Sequence, residues 1–180
     1  MHTAIQHRVI GAFSQQLQNE LFEPGLIWPA LDEAMKQALG HIIFSVLAYD
    51  QDGQRMVRLY SNHPDRIPVG GIKSVTDSEW TRRVLMEGTL FVNSNEGDIR
   101  RVFPDHERIL SFRCASALNI PVKLRGVVVG SINLLDRQEF YDYIDPDVAW
   151  TFAQLIAPVL AEAVRSLPPG TAEAGSVERV

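Results

Sequence analysis

The run from Cys114 to Asp136, CASALNIPVKLRGVVVGSINLLD, constrains this chain more than any other stretch. It reads as two apolar strands joined by the basic turn Lys123-Leu124-Arg125-Gly126, with Ile120-Pro121-Val122 ending the first strand and Gly130 inside the second. Strands this apolar need cover on both faces, so a central hairpin must recruit helices and further strands to bury it.

The flanking segments supply that cover. Ile5, Val9, Phe13, Leu17 and Leu21 recur every four residues, the stripe of an amphipathic helix over 3–22 that Glu23-Pro24-Gly25 ends. Leu31, Met35 and Leu39 mark a second helix from Pro29 to Leu39, with Gly40 as its cap. His41 to Tyr49 and Arg55 to Ser61 are rich in β-branched and aromatic residues and flank the turn Asp50-Gln51-Asp52-Gly53, so they pair as antiparallel strands. Asn62 to Val75 reads as a long loop. Thr76 and Glu79 have capping-box spacing for a helix to Glu87 that turns Trp80 and Val84 inward. A short strand over Thr89 to Val92 and one short helix within Ile99 to Arg113 complete the middle.

Asp145-Pro146-Asp147 is a helix start, and the helix over 146–166 contains Pro158, which should kink it or force a lost hydrogen bond. The Pro-, Gly-, Ala- and Glu-rich end, 167–180, reads as a disordered tail. Paired strands with helices grouped at the two termini predict an α+β fold in a single domain over 1–166.

Composition narrows function mainly by exclusion. A formal charge of −5 without clustered Lys and Arg argues against nucleic acid. No apolar run reads as approaching the roughly 20 residues that span a bilayer, and the N-terminus lacks the apolar block of a signal peptide. A single cysteine excludes an internal disulfide and fits a reducing, cytoplasmic compartment. The five histidines show no metal-ligand spacing, and no P-loop, GxSxG, HExxH or GxGxxG pattern occurs, so neither metal nor cofactor is expected.

The stretch Ser116 to Asp136, followed by a polar loop and a long helix, resembles the GAF domain, a small-molecule-sensing and dimerisation module. The matching residues are Ile120-Pro121-Val122, the turn ending in Gly126, Val129-Gly130-Ser131-Ile132-Asn133-Leu134, and Asp77 to Asn93 as a helix, glycine and short strand. The resemblance implies a GAF-like (PAS/GAF type) central antiparallel sheet of about six strands, with the N- and C-terminal helices on one face and loops and short helices forming a pocket on the other. It implies a non-catalytic sensor, homodimeric through its terminal helices, that passes a ligand-dependent change to a separate partner. A ligand-free adaptor is the alternative. It also implies a pocket walled by Trp80, Phe91, Phe103, Phe112 and Cys114, with Ser94, Asp98, Arg101, Ser116 and Asn133 as its polar groups.

Three specialised branches of the family fit less well. Phosphodiesterase GAF domains carry an Asn-Lys pair where this chain has Asp136-Arg137; Tyr141 and Asp145 keep the spacing of their later Phe and Asp, but Pro146 replaces the Glu. Free methionine sulfoxide reductases need a nucleophilic cysteine farther from the strand proline; Cys114 lies seven residues before Pro121 and has no second cysteine to resolve it. Bilin attachment needs a flanking motif that Arg113 and Ala115 do not supply.

Overall fold

The structure, a computed structural model, describes residues 2–19, 24–169 and 178–179. The hairpin that organises the sequence is the middle of the sheet. Strand β5 (Ser116–Leu124) pairs with β6 (Val127–Asp136), and β6 pairs with β1 (Ile43–Asp50). Strands β2 (Arg55–Ser61) and β3 (Ile72–Ser74) extend one side and β4 (Phe91–Asn93) the other, giving the order β4-β5-β6-β1-β2-β3, antiparallel throughout. A two-residue strand, β7 (Glu178–Arg179), runs parallel to β3 at its edge. Most of the segment expected as a disordered tail, 170–177 and 180, lies outside the described residues.

Side chains alternate across a strand, so this register sorts them into two faces. Phe44, Val46, Ala48, Leu118, Ile120, Val122, Ile132 and Leu134 share one buried cluster with three helices. Those helices are α1 (His2–Leu17), α2 (Ile27–Ala38) and α5 (Pro146–Arg165). The short helices α3 (Glu96–Val102) and α4 (His106–Ser111) belong to the opposite face, where Ile99 and Ile109 pack with Ile43, Ala117 and Leu135. The arrangement is the α+β sandwich that the sequence predicts.

Helix α5 starts as its sequence dictates: the Asp145 carboxylate accepts the Asp147 amide at 3.0 Å, with Pro146 in the first turn. Contrary to the reading of apolar runs, α5 is long and apolar enough to cross a membrane by length and composition alone. Eight of its residues are buried, among them Phe152, Ile156 and Leu160, and it packs on β5 and β6 as a core helix. The helix continues unbroken through Pro158. Gly130 explains how close the layers come: a Cβ there would stand 2.2 Å from the Leu47 carbonyl oxygen and 2.7 Å from Leu160 Cδ2. Helix α2 is pinned by Asp32, which accepts from Tyr60 Oη at 2.8 Å and pairs with His41 Nε2 at 3.0 Å.

Local differences from the sequence reading cluster in 62–113. Part of the expected loop is β3, because Ile72 and Ser74 find ladder partners in Val57 and Arg55. At the start of the helix near Trp80, the Ser78 hydroxyl accepts the Thr81 amide at 3.0 Å. That helix, Thr81–Met86, is wound as a π-turn, with the Glu87 amide reaching back to the Arg82 carbonyl at 2.8 Å. The single helix expected within Ile99 to Arg113 is two, α3 and α4, broken at Phe103-Pro104-Asp105. The N-terminal helix stops at Leu17 rather than residue 22; residues 20–23 lie outside the described ones.

Candidate functional site

A cavity of about 60 Å³ lies between the sheet and the α3–α4 layer. Its floor comes from register. Ser61, Ser45, Asn133 and Asn119 stand side by side on the adjacent strands β2, β1, β6 and β5, a buried polar row across the sheet. Ser45, Asn133 and Asn119 line the cavity, with Ile43, Leu47 and Leu135 as apolar floor beside them. Asn119 is held from two sides: Trp80 Nε1 donates to its Oδ1 at 2.9 Å, and its Nδ2 donates to the Phe91 carbonyl at 3.2 Å. Asn133 Nδ2 donates to Ser131 Oγ at 3.1 Å. Buried amides held this way keep a polar floor inside an otherwise apolar layer.

The walls and roof carry charge. Arg58 on β2 and Lys73 on β3 line the cavity while only 4% and 8% exposed. Arg58 Nη1 donates to the Pro68 carbonyl at 3.1 Å. Asp105, just before α4, and Arg108, on its first turn, form an ion pair that also lines the space, and their side chains are 23% and 27% exposed. Burial pushes the Asp105 carboxyl up, but the charges of Lys73 and Arg108 outweigh it and hold the group below the usual carboxylate range. Ile67, Trp80, Phe103 and Ile109 complete the lining.

Of the residues singled out from sequence, the cavity brings together Trp80, Phe103 and Asn133. Phe91 is buried next to Trp80 and Leu47, outside the lining, with the Arg83 guanidinium 5.6 Å from its ring centroid. Ser94, Asp98 and Arg101 form a separate knot at the start of α3. The Ser94 amide donates to Asp98 at 3.1 Å, and Arg101 pairs with both Asp98 and Glu79. Phe112 lies under the Arg66 guanidinium, 3.7 Å from its ring centroid. Cys114 is fully buried among Ile43, Ile67, Ile99 and Ile109, and burial together with the Asp136 charge pushes its thiol up to about 12. Ser116 is also buried, in the position opposite Asp136 on β6.

Sequence reasoning did not pick out Arg58, Lys73, Asp105, Arg108, Ser45 or Asn119. One signal was present for Arg58: it shares a strand face with Met56, two residues earlier and fully buried, so a charge there is turned inward. Lys73 sat in a segment read as loop, and no pattern there marks it.

A sheet with terminal helices on one face and a small, mixed-lining chamber under short helices on the other defines the PAS/GAF class of architecture. The GAF domain family model matches residues 23–161, and the chain belongs to the GAF domain family. The GAF domain of the phosphoenolpyruvate-protein phosphotransferase from Acinetobacter is similar at 17% identity and TM-score 0.70, covering 88% of this chain and 94% of that one. The corresponding domain from Coxiella burnetii gives 12% and 0.71, covering 91% and 95%. The free methionine-R-sulfoxide reductase from Neisseria meningitidis, solved with its substrate, gives 14% and 0.56, covering 90% and 89%. These likenesses establish the fold. No curated protein matches the chain.

Proposed function

We propose that this chain is a non-catalytic sensor whose α3–α4 cavity binds a small molecule and passes the change to a separate partner. The observation that carries this reading is the lining itself. Four charged side chains, three uncharged polar ones and seven apolar ones converge on one space, the mixture that fixes the orientation of a small ligand. A ligand there contacts β1, β5 and β6 below and α4 above, so it draws the roof onto the strands that support α5 on the other face. Dimerisation through α1 and α5, in the cytoplasm, is part of the same proposal; light scattering of the purified chain at twice the monomer mass supports it, and a monomer at all concentrations removes it.

The sensing role is tested by thermal melting in the presence of a fractionated metabolite extract. A saturable rise in melting temperature supports it. The absence of any rise, with the adaptor behaviour of a constitutive dimer, favours a module that needs no ligand. The reductase reading has little chemical support in Cys114, since a thiol pushed up to about 12 holds almost no thiolate at neutral pH. Native protein should therefore resist thiol labelling at pH 8 and react only after unfolding. Rapid labelling of the folded chain would reopen the enzymatic alternative.

A further inference from the structure

The neutral floor of the cavity, rather than its charged walls, offers a ligand open hydrogen-bonding capacity. Resting on the sensing role above, we propose that the ligand is a small uncharged molecule whose polar group both donates and accepts, a primary amide or an alcohol on a compact alkyl body. The polar group meets Ser45 and Asn133, and the body lies on Ile43, Leu47 and Leu135.

The charged side chains are already engaged. Arg58 donates to the Pro68 carbonyl at 3.1 Å, Arg108 pairs with Asp105, and the Lys73 charge acts on the same carboxylate. None of the three cations is without a partner. A ligand carrying its own charge would give up hydration on entry and compete with the partners those side chains have. Ser45 is different. It alternates with Phe44 and Val46 of the helix face, lines the cavity beside Ile43 and Leu47, and is 7% exposed. Its hydroxyl has no hydrogen-bond partner among the described residues. A buried hydroxyl left so costs free energy that a ligand group in the cavity recovers. Asn133, its register partner on β6, spends its carboxamide on Ser131: Nδ2 donates to Oγ at 3.1 Å and Oδ1 accepts from it at 3.3 Å. One amide hydrogen and one lone pair are left over. Facing residues on adjacent strands stand about 5 Å apart, so a single donor–acceptor group reaches both. Size sets the rest of the molecule. Drug-sized ligands occupy pockets of about 300–1,000 Å³, whereas this space is about 60 Å³, which limits the body to a few carbons.

The test is calorimetry and thermal melting of the full chain with propionamide and 2-butanol, each of which donates and accepts. The matched probes are 2-butanone, similar in shape but an acceptor only, and propionate, similar in shape but charged; the metabolite extract serves as a common reference. Propionamide or 2-butanol should bind saturably, and both matched probes about tenfold or more weaker. Ser45→Ala should weaken the bound probe about tenfold while the ligand-free chain melts no lower than the native one, because the substitution removes a hydroxyl that has no partner to lose. A purely structural Ser45 would do the reverse, lowering the melting temperature and sparing the affinity. Propionate or 2-butanone binding as well as the better of the first two overturns the proposal. So does an unaltered affinity in Ser45→Ala, or a crystal structure in which an ordered water stays on Ser45 at saturating probe. If the extract raises the melting temperature while propionamide and 2-butanol both fail, the ligand class is wrong and the sensing role stands. If neither the probes nor the extract has any effect, both fall.

Discussion

The two faces of the sheet are built from the same strands yet obey different rules. Toward the helices, alternate positions on β1, β5 and β6 are aliphatic or aromatic and fully buried, and α5 meets them with Phe152, Ile156 and Leu160. Toward α3 and α4, the intervening positions carry Ser45, Asn119 and Asn133, and the adjoining strands bring Arg58 and Lys73 into cover. One face is held by close packing, which tolerates no change of volume. The other is held by hydrogen bonds and opposed charges around a space, which tolerates volume change but not a missing partner. The difference teaches where stability and recognition reside: the helix face supports a platform on which the opposite face displays groups that packing alone would never select.

Substitutions that remove a similar bulk from each face should therefore behave differently. Phe152 is fully buried, 5.8 Å ring to ring from Phe13, so Phe152→Ala should destabilise the fold by about 4 kcal/mol in urea unfolding. A loss under about 1 kcal/mol would mean that the helix layer is loosely packed and the contrast between the faces is false. Overpacking the same face is the next largest effect. Gly130→Ala drives a Cβ to 2.2 Å from a backbone oxygen that belongs to the neighbouring strand, and should cost about 2–3 kcal/mol. A neutral outcome would show that β1 and β6 slide apart with ease.

On the cavity face, Asn119→Ala removes the partner of Trp80 Nε1 and of the Phe91 carbonyl. Left dry, each orphaned group costs about 1–3 kcal/mol, but Asn119 itself lines a space that admits water to the gap it would leave, so the total should fall near 1 kcal/mol. Ligand binding should suffer more than stability. A loss as large as that of Phe152→Ala would make Asn119 a core residue and the cavity an incidental gap.

The same contrast explains how much of the molecule was legible in its sequence. Helix-face positions announce themselves because their rule is local: Ile5, Val9 and Phe13 repeat along a helix, and Val127 to Leu135 is apolar apart from Gly130, Ser131 and Asn133. The hairpin, the terminal helices and the α+β class follow from such patterns. The cavity face obeys a rule that spans the chain. Arg58, Lys73 and Arg108 become neighbours only after β2, β3 and α4 are placed, and each looks in sequence like a solvated side chain. Asn133 was noticed because a polar residue interrupts an apolar strand; Ser116 interrupts one equally but stands on the position paired with Asp136, away from the cavity. Ser94, Asp98 and Arg101 have the right chemistry in the right neighbourhood, yet they satisfy one another at the start of α3.

The smallest effect is also the one that isolates electrostatics. Lys73 and Arg108 hold the Asp105 carboxyl below the usual carboxylate range against the upward pull of burial. A carboxyl depressed in the folded state stabilises the fold fully above its unfolded pKa, near 4, and loses that contribution as pH falls toward the lower native value. The stability difference between the native chain and Asp105→Asn should thus stay constant from pH 7 to about pH 5, then shrink with further acidification. The Phe152→Ala difference, which involves no titrating group, should stay flat over the same range. Urea unfolding of both variants at a series of pH values makes the comparison. A flat Asp105→Asn difference down to pH 3 would mean that the carboxyl is not held by those cations in the folded chain, and the charged side of the cavity would have to be redrawn without it.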